Sequence, residues 1–289
     1  MREQFFKVAG HTFVLLSDGG EELPEALHQY DPFVTPPAHD VVFSLRLSPT
    51  PLPADGFVEE LRQEDEGQSI VAGILPDGTS RFEFWLGDKR SAVLVADSDY
   101  REGTVCVESA FAFGLNNAIM VMYALATADK HTALFHSSVV SYRGRAYMFL
   151  GSSGTGKSTH SQLWLRNIEG TELVNDDNPV VRIDQEGEAR VYGSPWSGKT
   201  PCYRNVSYPL GALVKLAQAP ENKMKRLTGA RAYAALLPSI SGKRWDKRMA
   251  EGLHETENLL AQHVPVWHLD CLPDRAAAEL CLKHCTDDQ

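Results

Sequence analysis

The chain has 289 residues, 43% of them hydrophobic, enough to bury one large core or two modest ones. Its formal charge of −10 argues against a nucleic-acid backbone as partner. No apolar run approaches the roughly eighteen residues of a membrane span, and Met1-Arg2-Glu3-Gln4 lacks a signal-peptide pattern, so a cytoplasmic protein with no membrane partner is expected.

Phe5 to Leu16 alternates as a strand and Asp18-Gly19-Gly20 ends it. Leu23 to Tyr30 reads as a short helix, followed by the proline-rich Pro32 to Pro37. Val41 to Leu47 is a further strand and Pro51 to Gly56 a loop. Ser69 to Leu75, Ser80 to Leu86 and Ser91 to Ala96 form a meander, with Pro76-Asp77-Gly78 and Gly87-Asp88 as its turns. Residues 1–110 are therefore expected as a mainly antiparallel β domain. It carries no chemical motif, His11, His28 and His39 read as structural, and its expected task is to select a substrate. Ala110 to Lys130 is apolar on nearly every face and predicts a buried helix joining the halves; Asn116, Asn117 and Asp129 argue against membrane insertion.

The second half, residues 111–289, is organised around one loop. Ser137 to Tyr142 and Ala146 to Leu150 flank a tight Arg143-Gly144 break and predict an antiparallel hairpin. Gly151-Ser152-Ser153-Gly154-Thr155-Gly156-Lys157-Ser158 then fits G-x-x-x-x-G-K-[ST], the Walker A pattern. In it the glycines let backbone N–H groups turn inward around phosphate oxygens, and the lysine neutralises the outer phosphates. Thr159 continues into a helix from about Ser158 to Ile168, whose positive end faces the same anion. Asp176 follows Lys157 by nineteen residues, room for one short helix and one strand. A doubled aspartate beside held phosphates offers one metal ligand and one proton acceptor. Ser158 and Asp176 are assigned to magnesium and Asp177 to the proton, although position alone leaves the two carboxylates interchangeable.

Val180 to Ile183 and Ala189 to Tyr192 form the next hairpin, and the loop Gly193 to Pro201 follows. Lys199 and Arg204 are the cations there that could reach a γ-phosphate, against the plainer reading of solvated turn residues. Leu210 to Leu216 and Val264 to Leu269 read as strands. Thr228 can cap a helix to Leu237, Trp245-Asp246 leads into a helix through His263, and Pro273-Asp274 opens the last one. Lys243, Arg244, Lys247 and Arg248 read as a solvated basic face, with contact to an acidic substrate as the alternative. The five cysteines, Cys106, Cys202, Cys271, Cys281 and Cys285, suit reduced thiols rather than a disulfide framework. Cys281, His284 and Cys285 read as helix packing, since no second ligand pair accompanies them.

His136, Gly151 to Ser158 and Asp176-Asp177, in that order and spacing, resemble the core of bacterial HPr kinase/phosphorylase. The text Phe149 to Ser161 is also similar to the nucleotide loop of ATP-dependent phosphoenolpyruvate carboxykinase. The resemblance covers about residues 130 to 285. It implies an α/β (α+β) domain with a mixed sheet, ATP and magnesium, and an active-site role for His136. Two departures stand out: Thr159 occupies a position where that family usually has an acidic residue, and no copy of its downstream substrate loop is present. The protein HPr is therefore not carried over as substrate. The expected activity is ATP-dependent transfer of the γ-phosphoryl group to a hydroxyl of a protein, peptide or small-molecule alcohol. The rivals are a small carboxykinase, a non-catalytic nucleotide-binding regulator and a plain hydrolase. Nothing in the composition selects between a monomer and a homo-oligomer.

Overall fold

The computed structural model describes residues 2–17, 25–65, 67–198 and 200–287. The expected strand end at Asp18-Gly19-Gly20, the start of the helix at Leu23, and Lys199 lie outside the described residues. The chain is mixed α/β with two mixed sheets. It divides into two compact units, Met1–Thr127 and Ala128–Gln289.

In the first unit the strands are β1 (Arg2–Val8), β2 (His11–Ser17), β3 (Ser44–Leu47), β4 (Val58–Asp65), β5 (Gln68–Ile74), β6 (Ser80–Leu86), β7 (Lys89–Ala96) and β8 (Glu102–Val107). They form one sheet in the order β1-β2-β3-β8-β7-β6-β5-β4. The expected single strand from Phe5 to Leu16 is in fact a hairpin. Ala9 and Gly10 both take positive φ, 47° and 81°, the backbone that a two-residue turn between twisted strands requires. Most pairs are antiparallel, as expected, but β3 runs parallel to both β2 and β8. A long connection, including a 3-10 helix at Glu25–Phe33, lets the chain return to the same end of the sheet, which a tight turn cannot do. Strand β4 is exposed along its whole length, so no alternation marked it in the sequence. Helix α1 (Phe111–Thr127) packs on β7 and β8 and buries Leu115, Ile119, Met122 and Tyr123. It belongs with the β-rich unit rather than opening the second half.

In the second unit the chain runs β9 (Thr132–Leu134), β10 (Ser137–Tyr142), β11 (Arg145–Leu150), α2 (Lys157–Asn167), β12 (Glu172–Asp177), β13 (Val180–Ile183), β14 (Ala189–Tyr192), β15 (Ser207–Gln218), β16 (Lys223–Leu227), α3 (Ala230–Leu236), α4 (Lys247–His263), β17 (Val266–Cys271) and α5 (Arg275–Asp287). The sheet order is β12-β10-β11-β15-β14-β13-β9, with β17 also on β15 and β16 on β17. The β10–β11 hairpin turns at Arg143 and Gly144 as the sequence predicts. β11, β15 and β17 run parallel to one another. A core of Tyr147, Phe149, Trp164, Val214, Trp267 and Leu269 lies between the sheet and α2 and α5. Cys281 and Cys285 are buried in it, as the packing expectation has it.

Three local expectations change. Gly229 rather than Thr228 is the cap position of α3, with no side-chain bond. Asp274 Oδ1 accepts from the Ala277 N–H, and the last helix begins only at Arg275, so Pro273 precedes the cap. The basic cluster is not a solvated face throughout: Lys243 is buried, and Arg244 Nη2 lies 2.6 Å from the fully buried Glu257. A buried carboxylate needs a paired cation.

Candidate functional site

The loop from Gly151 to Gly156 joins the buried end of β11 to the first turn of α2. Gly154 and Gly156 take φ of 76° and 106°, and a side chain at either would meet no neighbour, so backbone conformation alone demands glycine there. Gly156 is the cap position of α2 and, lacking a side chain, makes no cap hydrogen bond. The first N–H groups of the helix lie at the positive end of its dipole. Lys157 Nζ folds back over the loop, 3.0 Å from the Gly151 carbonyl and 3.3 Å from that of Ser152.

Two buried contacts fix α2 against the sheet. The hydroxyls of Ser138 on β10 and Ser161 on α2 are hydrogen-bonded to each other. His160 Nε2 accepts from Trp164 Nε1 at 3.2 Å, and its ring meets Phe149 edge-on at 4.6 Å. Burial pushes the His160 pKa down to about 4, which keeps the ring neutral and its nitrogen able to accept. Neither Ser138 nor His160 was singled out from the sequence, since each matters only through a partner across the fold.

The acidic pair ends β12, which lies antiparallel to β10 with Asp176 opposite Ser138 and Asp177 opposite Ser137. β10 in turn sets Ser138 opposite Phe149 and Ser137 opposite Leu150. Two strand spacings of about 4.8 Å therefore separate the aspartates from the residue that enters the loop. Successive strand residues point to opposite faces, so the two carboxylates diverge. Asp176 shares the face of Ser138, which α2 covers. Asp177 shares the face of Ser137, and His136 Nε2 stands 3.6 Å from its Oδ1. Asp176 is 6% exposed and its Oδ1 has no hydrogen-bond partner among the described residues. Asp177 and His136 are each about one-third exposed.

A second loop is laid against this pair. Buried Asn175 accepts from the Asp177 N–H at 3.0 Å and donates to Ser194 Oγ at 3.1 Å. Ser194 Oγ donates to the Asn178 carbonyl at 2.6 Å. Asp177 forms an isolated bridge with Ser197, and a side chain at Gly198 would sit 2.9 Å from the Asp176 carbonyl oxygen. Asn175 and Ser194 thus hold the aspartate end of β12 in place. The repeated small residues from Gly193 to Gly198 were the available signal, and it was read for its cation instead.

Of the two candidate cations, Lys199 lies outside the described residues. Arg204 does not meet the loop. Its guanidinium donates to the Leu173 carbonyl at 2.6 Å and pairs with Glu172 at 2.8 Å, at the opposite end of β12 from the aspartates. Glu172 and the Leu173 carbonyl hold one donor each of two guanidinium nitrogens there. Thr159 is exposed on the first turn of α2 and borders a cleft of about 480 Å³ that opens between α2 and the ends of β15 and β17.

Among the described residues no group of three or more His, Cys, Asp and Glu stands together. A divalent ion here would have the orphaned Asp176 oxygen and the Ser158 hydroxyl from the protein. That sparse oxygen set fits magnesium, which keeps several waters and uses one or two carboxylates plus substrate phosphates. No helix among the described residues is long and apolar enough to cross a membrane. Compared with protein-family models the chain matches none, and no curated protein matches it.

Proposed function

We propose that this chain is an ATP-dependent phosphotransferase acting on a hydroxyl. The single observation that carries the reading is the β11-β10-β12 pairing, which brings two diverging carboxylates and His136 to within two strands of a glycine-rich loop bearing Lys157. A surface turn of glycines and serines has no need of a buried, unsatisfied carboxylate oxygen two strands away, because leaving such an atom unpaired costs about 1–3 kcal/mol.

In this mechanism the loop N–H groups and Lys157 hold the phosphates, giving up the Gly151 and Ser152 carbonyls that Lys157 contacts now. Ser158 and Asp176 would hold magnesium, which when bound neutralises charge on the phosphates. Asp177, at the end of β12 and open to solvent, accepts the acceptor's hydroxyl proton as its oxygen takes the γ-phosphoryl group and ADP leaves with the bridging oxygen. His136 positions that carboxylate from 3.6 Å. A regulator that only binds nucleotide would need the loop and not the second carboxylate with its histidine. Selection of the acceptor is left to the first unit, whose described residues carry no comparable cluster.

The test is incubation with γ-labelled ATP, magnesium and cell lysate. Label should pass to an acid-stable or base-labile ester with the wild-type chain and not with Lys157→Ala, which should also lose ATP binding by calorimetry. Label released only as inorganic phosphate supports a hydrolase, and unchanged ATP affinity in Lys157→Ala refutes the loop's assignment.

A further inference from the structure

We propose that the acceptor is an anion, a hydroxyl compound or peptide bearing a carboxylate or phosphate, and that Lys215 on β15 holds this negative group while the hydroxyl meets Asp177. The proposal rests on the phosphotransfer reading and adds the chemical class of the acceptor. Whatever the first unit selects, the second reads this charge itself.

The register of the sheet places Lys215. Ser137 of β10 lies opposite both Asp177 of β12 and Leu150 of β11, Leu150 is level with Lys215, and Lys215 is level with His268 of β17. Residues level with one another across a sheet point to the same face. Their chain neighbours Phe149, Val214 and Trp267 face the other way, into the core beneath α2 and α5. Lys215 therefore shares the face of Asp177, and Leu150, which enters the glycine-rich loop, stands between them.

Two polar groups on this row lack partners. Lys215 is partly buried, and its ammonium makes no hydrogen bond or ion pair among the described residues. Ser137 Oγ is buried and equally unpartnered among them. A lysine that merely lays its stem along apolar neighbours would account for the first. It leaves the second unexplained, because a buried hydroxyl is costly to leave unmade. Ser137 and Lys215 flank Leu150 on its two sides, so an anionic oxygen laid along the row gives the lysine a counter-charge and the serine an acceptor.

Distance and charge set the kind of acceptor. Three strand spacings of about 4.8 Å, or about 14 Å in all, separate the backbones at Asp177 and Lys215. Less the reach of both side chains, this puts the anionic group several bonds from the hydroxyl. Beyond Lys215 the row continues with His268 and the exposed Lys225 of β16. Asp270, two residues along β17 on the same face, is already paired with His268 at 3.0 Å. A neutral alcohol at Asp177 would leave Lys215 without a counter-charge, which is how a site built for an anion rejects it.

The test is transfer from γ-labelled ATP with magnesium, by the whole chain, to defined probes. One set is a pool of seryl peptides flanked by Asp and Glu against the same pool flanked by Asn and Gln; the other is glycerate and glycerol 3-phosphate against glycerol. Label should enter the acidic members with kcat/KM about tenfold or more above their neutral counterparts, as expected of one charge-assisted contact. The set that shows the preference tells a peptide from a small molecule. Lys215→Met should bring the acidic probes down to the neutral level with ATP affinity, by calorimetry, as in the wild type, and Lys215→Arg should keep the preference. Both substitutions preserve a long side chain on the strand and spare the fold. Equal use of acidic and neutral probes, no label in any acidic probe from a chain that binds ATP, or a preference that survives in Lys215→Met overturns the proposal. Loss of ATP binding in Lys215→Met overturns it as well, since the lysine then serves the nucleotide. A wild type that binds no ATP refutes the phosphotransfer reading itself.

Discussion

The orphaned oxygen of Asp176 makes a prediction in which stability and function move in opposite directions. Asp176 is 6% exposed, and its Oδ1 finds no partner among the described residues. Leaving a buried acceptor unsatisfied costs about 1–3 kcal/mol, more when it is charged. Asp176→Asn keeps the side chain's shape and removes the charge, so the ligand-free protein should gain about 1–2 kcal/mol. For a cooperative unit of this size that is a rise in Tm of about 2–8 °C. Magnesium with ATP should then stabilise the wild type strongly and the variant little, because anything that binds only the folded state raises its stability by mass action. Thermal unfolding with and without the ligand pair, over a magnesium titration, reads both effects. A variant less stable than wild type without ligand would show that the carboxylate is satisfied within the fold. A variant equally responsive to magnesium would show that it holds no metal.

Asp177→Asn should leave the Tm and ATP affinity nearly unchanged while phosphotransfer to the acceptor falls by about 10² to 10⁴, the usual loss for a general base; full turnover in this variant removes Asp177 from the chemistry. His160 gives a pH signature. Its folded pKa of about 4 lies below the ordinary 6.5, so the unfolded chain takes up a proton first, and stability present above pH 6.5 is lost as pH falls toward 4. Between pH 7 and pH 5 the loss from this one group should be about 2 kcal/mol. Urea unfolding of wild type and His160→Gln at the two pH values should show the dependence shrink by that amount in the variant, and parallel dependences would refute it.

What the sequence determined by itself was local and directional. Leu150, Gly151 to Gly156 and Lys157 lie in one continuous strand-loop-helix, so backbone propensity, positive-φ glycines and a single lysine suffice to place them. The Arg143-Gly144 hairpin and the buried helix α1 were legible for the same reason. Signals failed where the deciding partner was distant in the chain. Ala9-Gly10 turns a hairpin with only one residue suited to positive φ, so the alternation from Phe5 to Leu16 read as a single strand, and β4 is exposed on both faces and left no alternation to read. Arg204 looked free until Glu172 and the Leu173 carbonyl, about thirty residues earlier, were seen to take its donors.

Only the tertiary structure decided what the two aspartates face. A strand's side chains alternate whatever its neighbours are, so Asp176 and Asp177 were bound to diverge. Which one meets α2 and which meets His136 depends on the register of β12 against β10, a pairing across more than thirty residues. Shifting that register by one residue would exchange the two carboxylates, and no local preference of Asp-Asp resists the exchange. The Asn175–Ser194 bonds and the close approach of Gly198 hold the end of β12, and they exist only once the chain has folded back on itself.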